Sequence, residues 1–116
     1  MVESGESNGW SYRKWDDGTA ECWCLATLNS SVASNSGQFN LTPTSIYKAY
    51  PFTFADAPSI TANAYNEDNY SLFTVLSGDT QTTTYTPYIN AARPASAAIT
   101  DAIDIRFSIY VIGKWK

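Results

Sequence analysis

Histidine is absent from the 116 residues, and charged residues make up only 16% of them. Without an imidazole, Ser-His-Asp and Cys-His catalytic sets and the usual zinc-hydrolase ligand sets cannot be assembled. Basic residues are also scarce: seven Lys and Arg, scattered, stand against eleven Asp and Glu, a net charge of −4. No basic stripe exists to neutralise phosphates, so neither nucleic acid nor an anionic membrane surface is an expected partner. No apolar run approaches the ~20 residues that span a bilayer, so membrane insertion is not expected. The first eight residues lack the basic n-region and apolar h-region of a signal peptide, so export by that route is not expected either. There are two cysteines, Cys22 and Cys24. Two apart in a strand, their Cα atoms lie near ~6.8 Å with parallel Cβ vectors, the outer limit for a disulfide. They read as free thiols acting as small buried hydrophobes. A C-x-C pair alone falls short of the four ligands zinc wants, and neither metal nor cofactor is expected. A convincing helix is missing as well, because the one candidate, 91–99, is interrupted by Arg93-Pro94 and reads as a loop.

What is present is strand-forming sequence: 44% hydrophobic and 15% aromatic residues. A chain of this length buries roughly 65% of its unfolded surface, enough for one core. Alternating apolar and polar positions recur at 9–15, 19–28, 45–50, 59–65, 70–76, 82–89 and 102–112. The expected fold is therefore all-β, an antiparallel, jelly-roll-like sandwich of about seven strands with little or no helix. Residues 9–116 form the single domain, and 1–8 read as a tail or linker remnant. Trp15-Asp16-Asp17-Gly18-Thr19 supplies a tight turn with glycine where positive φ is needed, hence a hairpin. A two-residue turn sets Tyr12 opposite Trp23 and Lys14 opposite Glu21. A three-residue loop sets Arg13 opposite Glu21 and Tyr12 opposite Cys22, and composition does not choose between them. In the hairpin Trp23 is expected in the core. In the last strand Ile103, Ile105, Phe107, Ile109 and Val111 share one face. Tyr110 and Ile112 make the other face locally apolar and are the expected subunit contact. The polar stretches 29–40, 66–69 and 77–84 read as loops.

Chemistry-bearing patterns are few. Gly5-Glu6-Ser7-Asn8-Gly9 fits G-x-S-x-G, but a nucleophile elbow needs a buried strand before it and a helix after it. Asp16, Asp17, Glu21, Glu67, Asp68, Asp101 and Asp104 fall where turns and strand rims place acids, not as an evident facing pair for glycoside hydrolysis. The run 66–69 lacks the spacing and glycine of a calcium loop. Asn29, Asn40 and Asn69 open N-x-S/T triplets that a chain rich in Ser, Thr and Asn produces by chance. What remains is a surface of tyrosine with short polar neighbours: Tyr65, Asn66, Asp68, Asn69, Tyr70, Tyr85 and Tyr88 are the candidate ligand-binding residues. Aromatic rings ringed by hydrogen-bonding groups suit sugars.

Gly9-Trp10-Ser11-Tyr12-Arg13-Lys14-Trp15, Gly18 and Ala20-Glu21-Cys22-Trp23 resemble the opening hairpin of C-terminal head domains on bacteriophage and prophage tail-fibre and related structural proteins. Tyr50-Pro51-Phe52, Phe54 and Pro58 resemble that family's central segment, and 105–116 its closing strand. Cys24 departs from the glycine expected after the Cys-Trp pair. The resemblance implies a β-sandwich at the distal end of a virion tail fibre, a homotrimer that binds host cell-surface glycan without cleaving it. The alternative it leaves open is a purely structural trimerising or capping module; a glycan depolymerase comes third.

Overall fold

The computed structural model describes residues 1–66, 70–77 and 82–116. It bears out the all-β reading, with nine strands rather than seven: β1 (Glu3–Ser7), β2 (Trp10–Lys14), β3 (Thr19–Val32), β4 (Ser34–Ser36), β5 (Phe39–Leu41), β6 (Ser59–Tyr65), β7 (Phe73–Ser77), β8 (Tyr88–Pro94) and β9 (Ile99–Lys114). Two antiparallel sheets, ordered β1-β2-β3-β9-β6 and β4-β5-β8-β7, pack as a sandwich. Among the described residues there is no helix.

The axis of the first sheet is β3 against β9, paired from Thr19↔Lys114 to Val32↔Ile99 with a register shift between Ser30 and Val32. Alternation does the sorting. Cys22 and Cys24 of β3 and Ile103, Ile105, Phe107, Ile109 and Val111 of β9 point inward, all buried. Trp10 from the neighbouring β2, and Tyr50, Phe54, Ile89 and Ala91 from outside this sheet, complete the core.

Trp23 is a correction. It lies on the outer face of β3, beside Ser11 and Tyr110, half-buried beneath the Arg13 guanidinium at 5.1 Å. Both parities of β3 carry apolar residues, and on the inner one small residues stand beside the bulky Trp10 of the adjacent β2. The Trp10 indole is fully buried and its Nε1 donates to the Ala49 carbonyl at 2.7 Å, which satisfies its one polar atom.

The β2–β3 hairpin takes the three-residue alternative, with Arg13 opposite Glu21 and Tyr12 opposite Cys22. The Gly18 amide donates to the Trp15 carbonyl at 3.1 Å, Asp17 accepts from the Thr19 amide at 2.8 Å, and Gly18 sits at φ 93°. Residues 1–8, expected as a tail, instead contribute β1, joined to β2 by Asn8 and Gly9 at φ 55° and 84°. Two successive positive φ values make this a type I′ turn, which Asn-Gly favours. Residues 29–40 are not a loop: β3 runs on to Val32, and β4 and β5 form a hairpin. Residues 91–94, also expected as loop, belong to β8. The 45–50 segment is reduced to two isolated bridges, Ile46↔Ile89 and Ala49↔Tyr85.

Near the end of β9, a Cβ on Gly113 would meet Pro58 Cβ at 2.9 Å and Phe54 Cδ1 at 3.0 Å. Trp115 closes the chain onto the hairpin, its Nε1 donating to the Trp15 carbonyl at 3.0 Å and its amide to Gly18 at 2.8 Å. The Lys14 ammonium sits 4.8 Å from the Phe52 ring centre and 5.1 Å from that of Trp115.

In denaturant melts, Trp10→Ala is expected to cost ~3–5 kcal/mol, because it empties a fully enclosed indole site. Trp23→Ala should cost well under that, and equal losses would place the two rings in equivalent surroundings. Gly113→Ala should cost ~1–3 kcal/mol by overpacking against Pro58; an unchanged midpoint would show that Pro58 yields.

Candidate functional site

Of the seven residues expected to bind ligand, the five that the structure describes do not form one surface. Tyr65 ends β6 on the outer face of the first sheet, opposite Arg106. Asn66 stays with that end of the sheet, its Nδ2 donating to the Asp104 carbonyl at 2.6 Å while the Asp104 carboxylate accepts from Asn29 at 2.7 Å. Tyr70 packs against Arg93, whose Cζ lies 5.5 Å from the ring centre. Asp68 and Asn69 lie outside the described residues.

Tyr85 and Tyr88 do come together, on the second sheet, around a residue that the sequence reading assigned to a strand and not to a site. Tyr47 stands 5.2 Å from Tyr88 and 6.0 Å from Tyr85 between ring centres, with interplanar angles of 81° and 56°. The three rings are 56%, 47% and 48% exposed for Tyr47, Tyr85 and Tyr88.

Backbone pairing places them. Ile46 and Ile89 exchange both hydrogen bonds, at 2.9 and 2.8 Å, so both side chains turn inward and the adjoining Tyr47 and Tyr88 turn outward. One step along, the Thr86 amide donates to the Lys48 carbonyl and the Lys48 amide to Thr86 Oγ1, each at 2.9 Å. Pro87 fixes φ between Thr86 and Tyr88. Tyr85 is held by its own turn: its amide donates to Thr82 Oγ1 at 2.9 Å, and the Thr82 hydroxyl donates to the Tyr85 carbonyl. Below them the Asn90 amide donates to Thr42 and Thr44, which ties down the 42–44 connection. Backbone pairing therefore positions the rings: Tyr47 and Tyr88 meet edge to face, Tyr47 and Tyr85 are tilted, and all three stay about half exposed. Alternation along 45–50 already put Tyr47 on the side opposite Ile46; its proximity to Tyr85 and Tyr88 depends on bridges across some forty residues.

The outer face of the first sheet holds a second feature, an open groove of about 490 Å³ lined by Ser11, Trp23, Leu25, Ser108 and Tyr110. The expected contact residues Tyr110 and Ile112 are here, both partly exposed. The Tyr110 hydroxyl donates to the Glu21 carboxylate, and that bond pushes the phenol up from its ordinary range. Arg13 adds an ion pair to Glu21 at 3.6 Å.

Among the described residues no three His, Cys, Asp or Glu gather into a metal-binding group. Ser7 ends an exposed edge strand. Asp17 is held below the usual carboxylate range by the Thr19 amide, as a turn residue is. The Asn40 amide, in one of the N-x-T triplets, is buried and donates to the Pro94 and Ala95 carbonyls at 3.1 and 2.9 Å. A scan against protein-family models finds no match, and searches of curated proteins and of solved structures match nothing.

Cys22 and Cys24 are free and buried, and burial pushes the Cys22 thiol from 9.0 up to about 12. The thiolate is the nucleophile, so a disulfide reagent at pH 8 should leave both untouched until denaturant is added; rapid labelling of native protein would contradict their burial. The fold holds the neutral thiol, so as pH rises the unfolded chain loses its proton first. Stability should be level below the ordinary thiol value of 9.0 and fall as pH climbs toward about 12. Cys22→Ala should flatten that decline.

Proposed function

We propose that this domain is a non-catalytic binding head that holds a host cell-surface saccharide against Tyr47, Tyr85 and Tyr88. The observation that carries the reading is the tyrosine cluster itself: three half-exposed rings, with Tyr85 and Tyr88 each within 6.0 Å of Tyr47, fixed by backbone bridges. A sugar presents a face of C–H groups that packs on an aromatic ring and a rim of hydroxyls that pairs with phenols, and a prearranged cluster loses little entropy on binding. The resemblance of the opening hairpin, the Tyr50–Pro58 region and the closing strand to phage tail-fibre heads supports the same reading and extends it. The domain would then sit at the tip of a virion fibre, as a trimer.

The competing reading is a structural cap that joins copies and binds nothing outside the virion. Exposed apolar side chains on both outer faces, Leu25 and Ile112 on the first sheet and Phe39 and Phe73 on the second, favour self-association under either reading.

The test is binding of the purified domain to host cells and to an array that includes bacterial cell-wall polysaccharides. Tyr47→Ala/Tyr88→Ala should melt as wild type does and bind at least about tenfold more weakly, a loss of ~1.4 kcal/mol. Tyr65→Ala and Tyr70→Ala, away from the cluster, should bind as wild type. A domain silent on every glycan favours the cap, and undiminished binding by the double variant removes the cluster from the site.

A further inference from the structure

Every cation of the chain can be placed, because all seven Lys and Arg residues are among those the structure describes. Arg13 lies over Trp23 and pairs with Glu21, and Arg106 stands opposite Tyr65, both on the outer face of the first sheet. Lys14 is enclosed by Phe52 and Trp115, Lys114 reaches the Asp17 carbonyl and Thr19 at 3.5 and 3.4 Å, and Lys116 lies over Trp115 at 5.1 Å, so these three gather where the hairpin meets the chain end. In β4, β5, β7 and β8 the one cation is Arg93, whose guanidinium donates to the Ala97 carbonyl at 2.7 Å and to the Ser71 carbonyl at 2.6 Å. It stands five residues beyond Tyr88 along β8, about 17 Å at ~3.4 Å per residue. Lys48 follows Tyr47 in sequence but takes the parity of Ile46, and its ammonium lies 5.8 Å from the centre of the fully buried Trp10 ring. Among the described residues, then, no cation lies over the rings of Tyr47, Tyr85 or Tyr88.

Acids are missing there too. Segments 42–50 and 82–90, which supply the three tyrosines and the bridges that hold them, contain no Asp or Glu, and apart from Lys48 their polar side chains are hydroxyls and the Asn90 amide. Asp79 lies outside the described residues, and its charge has the sign of the chain's net −4. An anionic sugar laid on this surface gives up water around its carboxylate or phosphate and meets no counter-charge. The face of an aromatic ring carries the negative part of its quadrupole, and the net charge of the chain repels at longer range, so both act against an anion. An ammonium sugar is attracted to a ring face, yet neither segment offers a carboxylate to hold it. A pyranose that bears only hydroxyls or amides escapes both difficulties: its C–H face packs on a ring, and its polar groups pair with hydroxyls.

We propose that the saccharide held at Tyr47, Tyr85 and Tyr88 is uncharged, and that the same site discriminates against polysaccharides bearing carboxylate or phosphate. The inference rests on the reading of this cluster as a saccharide site and narrows that site to one ligand class. Binding of such a ligand involves no ion pair, so screening by salt leaves it unchanged.

The test applies the whole chain to an array of bacterial polysaccharides sorted into neutral, acidic and amino-sugar classes, with each uronate polymer printed beside its carboxyl-reduced form. Wild type should give its signals on neutral polysaccharides, and these should change less than about twofold between ~0.05 M and ~0.5 M NaCl. A carboxyl-reduced polymer that binds should do so at least about tenfold more tightly than its acidic parent. Tyr47→Ala/Tyr88→Ala should lose the neutral signal. Circular dichroism shows whether that variant folds, and if it does not, Tyr88→Ala alone carries the comparison. An acidic or ammonium polysaccharide that binds in preference to the neutral class, and is lost in the tyrosine variant, overturns the proposal and leaves the cluster standing as a saccharide site. Neutral binding that the tyrosine variant keeps, or silence on all three classes, overturns the saccharide reading of the cluster and the proposal with it, so the two failures are told apart.

Discussion

The antiparallel pairing of β3 with β9 is the constraint on which the molecule depends. Strands of 14 and 16 residues stay in register from Thr19↔Lys114 to Val32↔Ile99 apart from the one shift near Ser30. A slip of one residue would turn Ile105, Phe107 and Ile109 to solvent and Asp104 and Arg106 to the core, so the alternation within β9 specifies the register strongly. β2 and β6 dock on the two sides of this ladder, and the segment carrying Tyr50 and Phe54 crosses beneath it to reach Thr84 and Lys114 through the backbone. The small residues on the inner side of β3, Ala20, Cys22 and Cys24, are what leave room for Trp10, Tyr50 and Phe54.

The second sheet divides along β8. At its start, backbone bridges from Ile46 and Ala49 bring three half-exposed tyrosines together; at its end, two phenylalanines cover an alanine and present bare apolar surface. One strand thus carries amphipathic rings suited to a wet ligand and purely apolar rings suited to a dry contact. Pro87 and Pro94 bracket the strand, and neither offers an amide to be left unpaired.

Strong periodicity was legible. The strand at 59–65 coincides with β6, and 102–112 lies wholly within β9, because each alternates cleanly between an exposed face and one packed on the core, partly buried in β6 and buried in β9. Where periodicity was weak or doubled, the reading failed for definable reasons. β1 has five exposed residues and no apolar alternation, so only Asn8-Gly9 announced it, a turn signal that outranks the polarity of the strand before it. Arg93-Pro94 makes 91–99 read as a loop, yet Ala91 is a core position and Ala92 lies under Phe39 and Phe73, a reason that resides in other strands. Trp23 is expected inside from its pairing in the hairpin, and the competing parity of Cys22 and Cys24 prevails because the neighbouring hairpin strand supplies Trp10 instead. The tyrosine cluster was half legible: Tyr85 and Tyr88 stood out by composition, but Tyr47 joins them through pairings between residues far apart in sequence.

The position of β9 has a consequence for how the fold is reached. It is the last strand in chain order and an interior strand of the first sheet, and residues joined across it are as many as 95 positions apart, as for Lys114 and Thr19. Until β9 emerges during synthesis, β3 has only the β1–β2 hairpin beside it, β6 has no partner, and the apolar side of the meander faces water. Contacts of such separation are reached slowly, and the waiting chain exposes unpaired strand edges. Folding of this domain is therefore closer to a final closure than to stepwise accretion, and its most aggregation-prone moment falls just before the last strand docks.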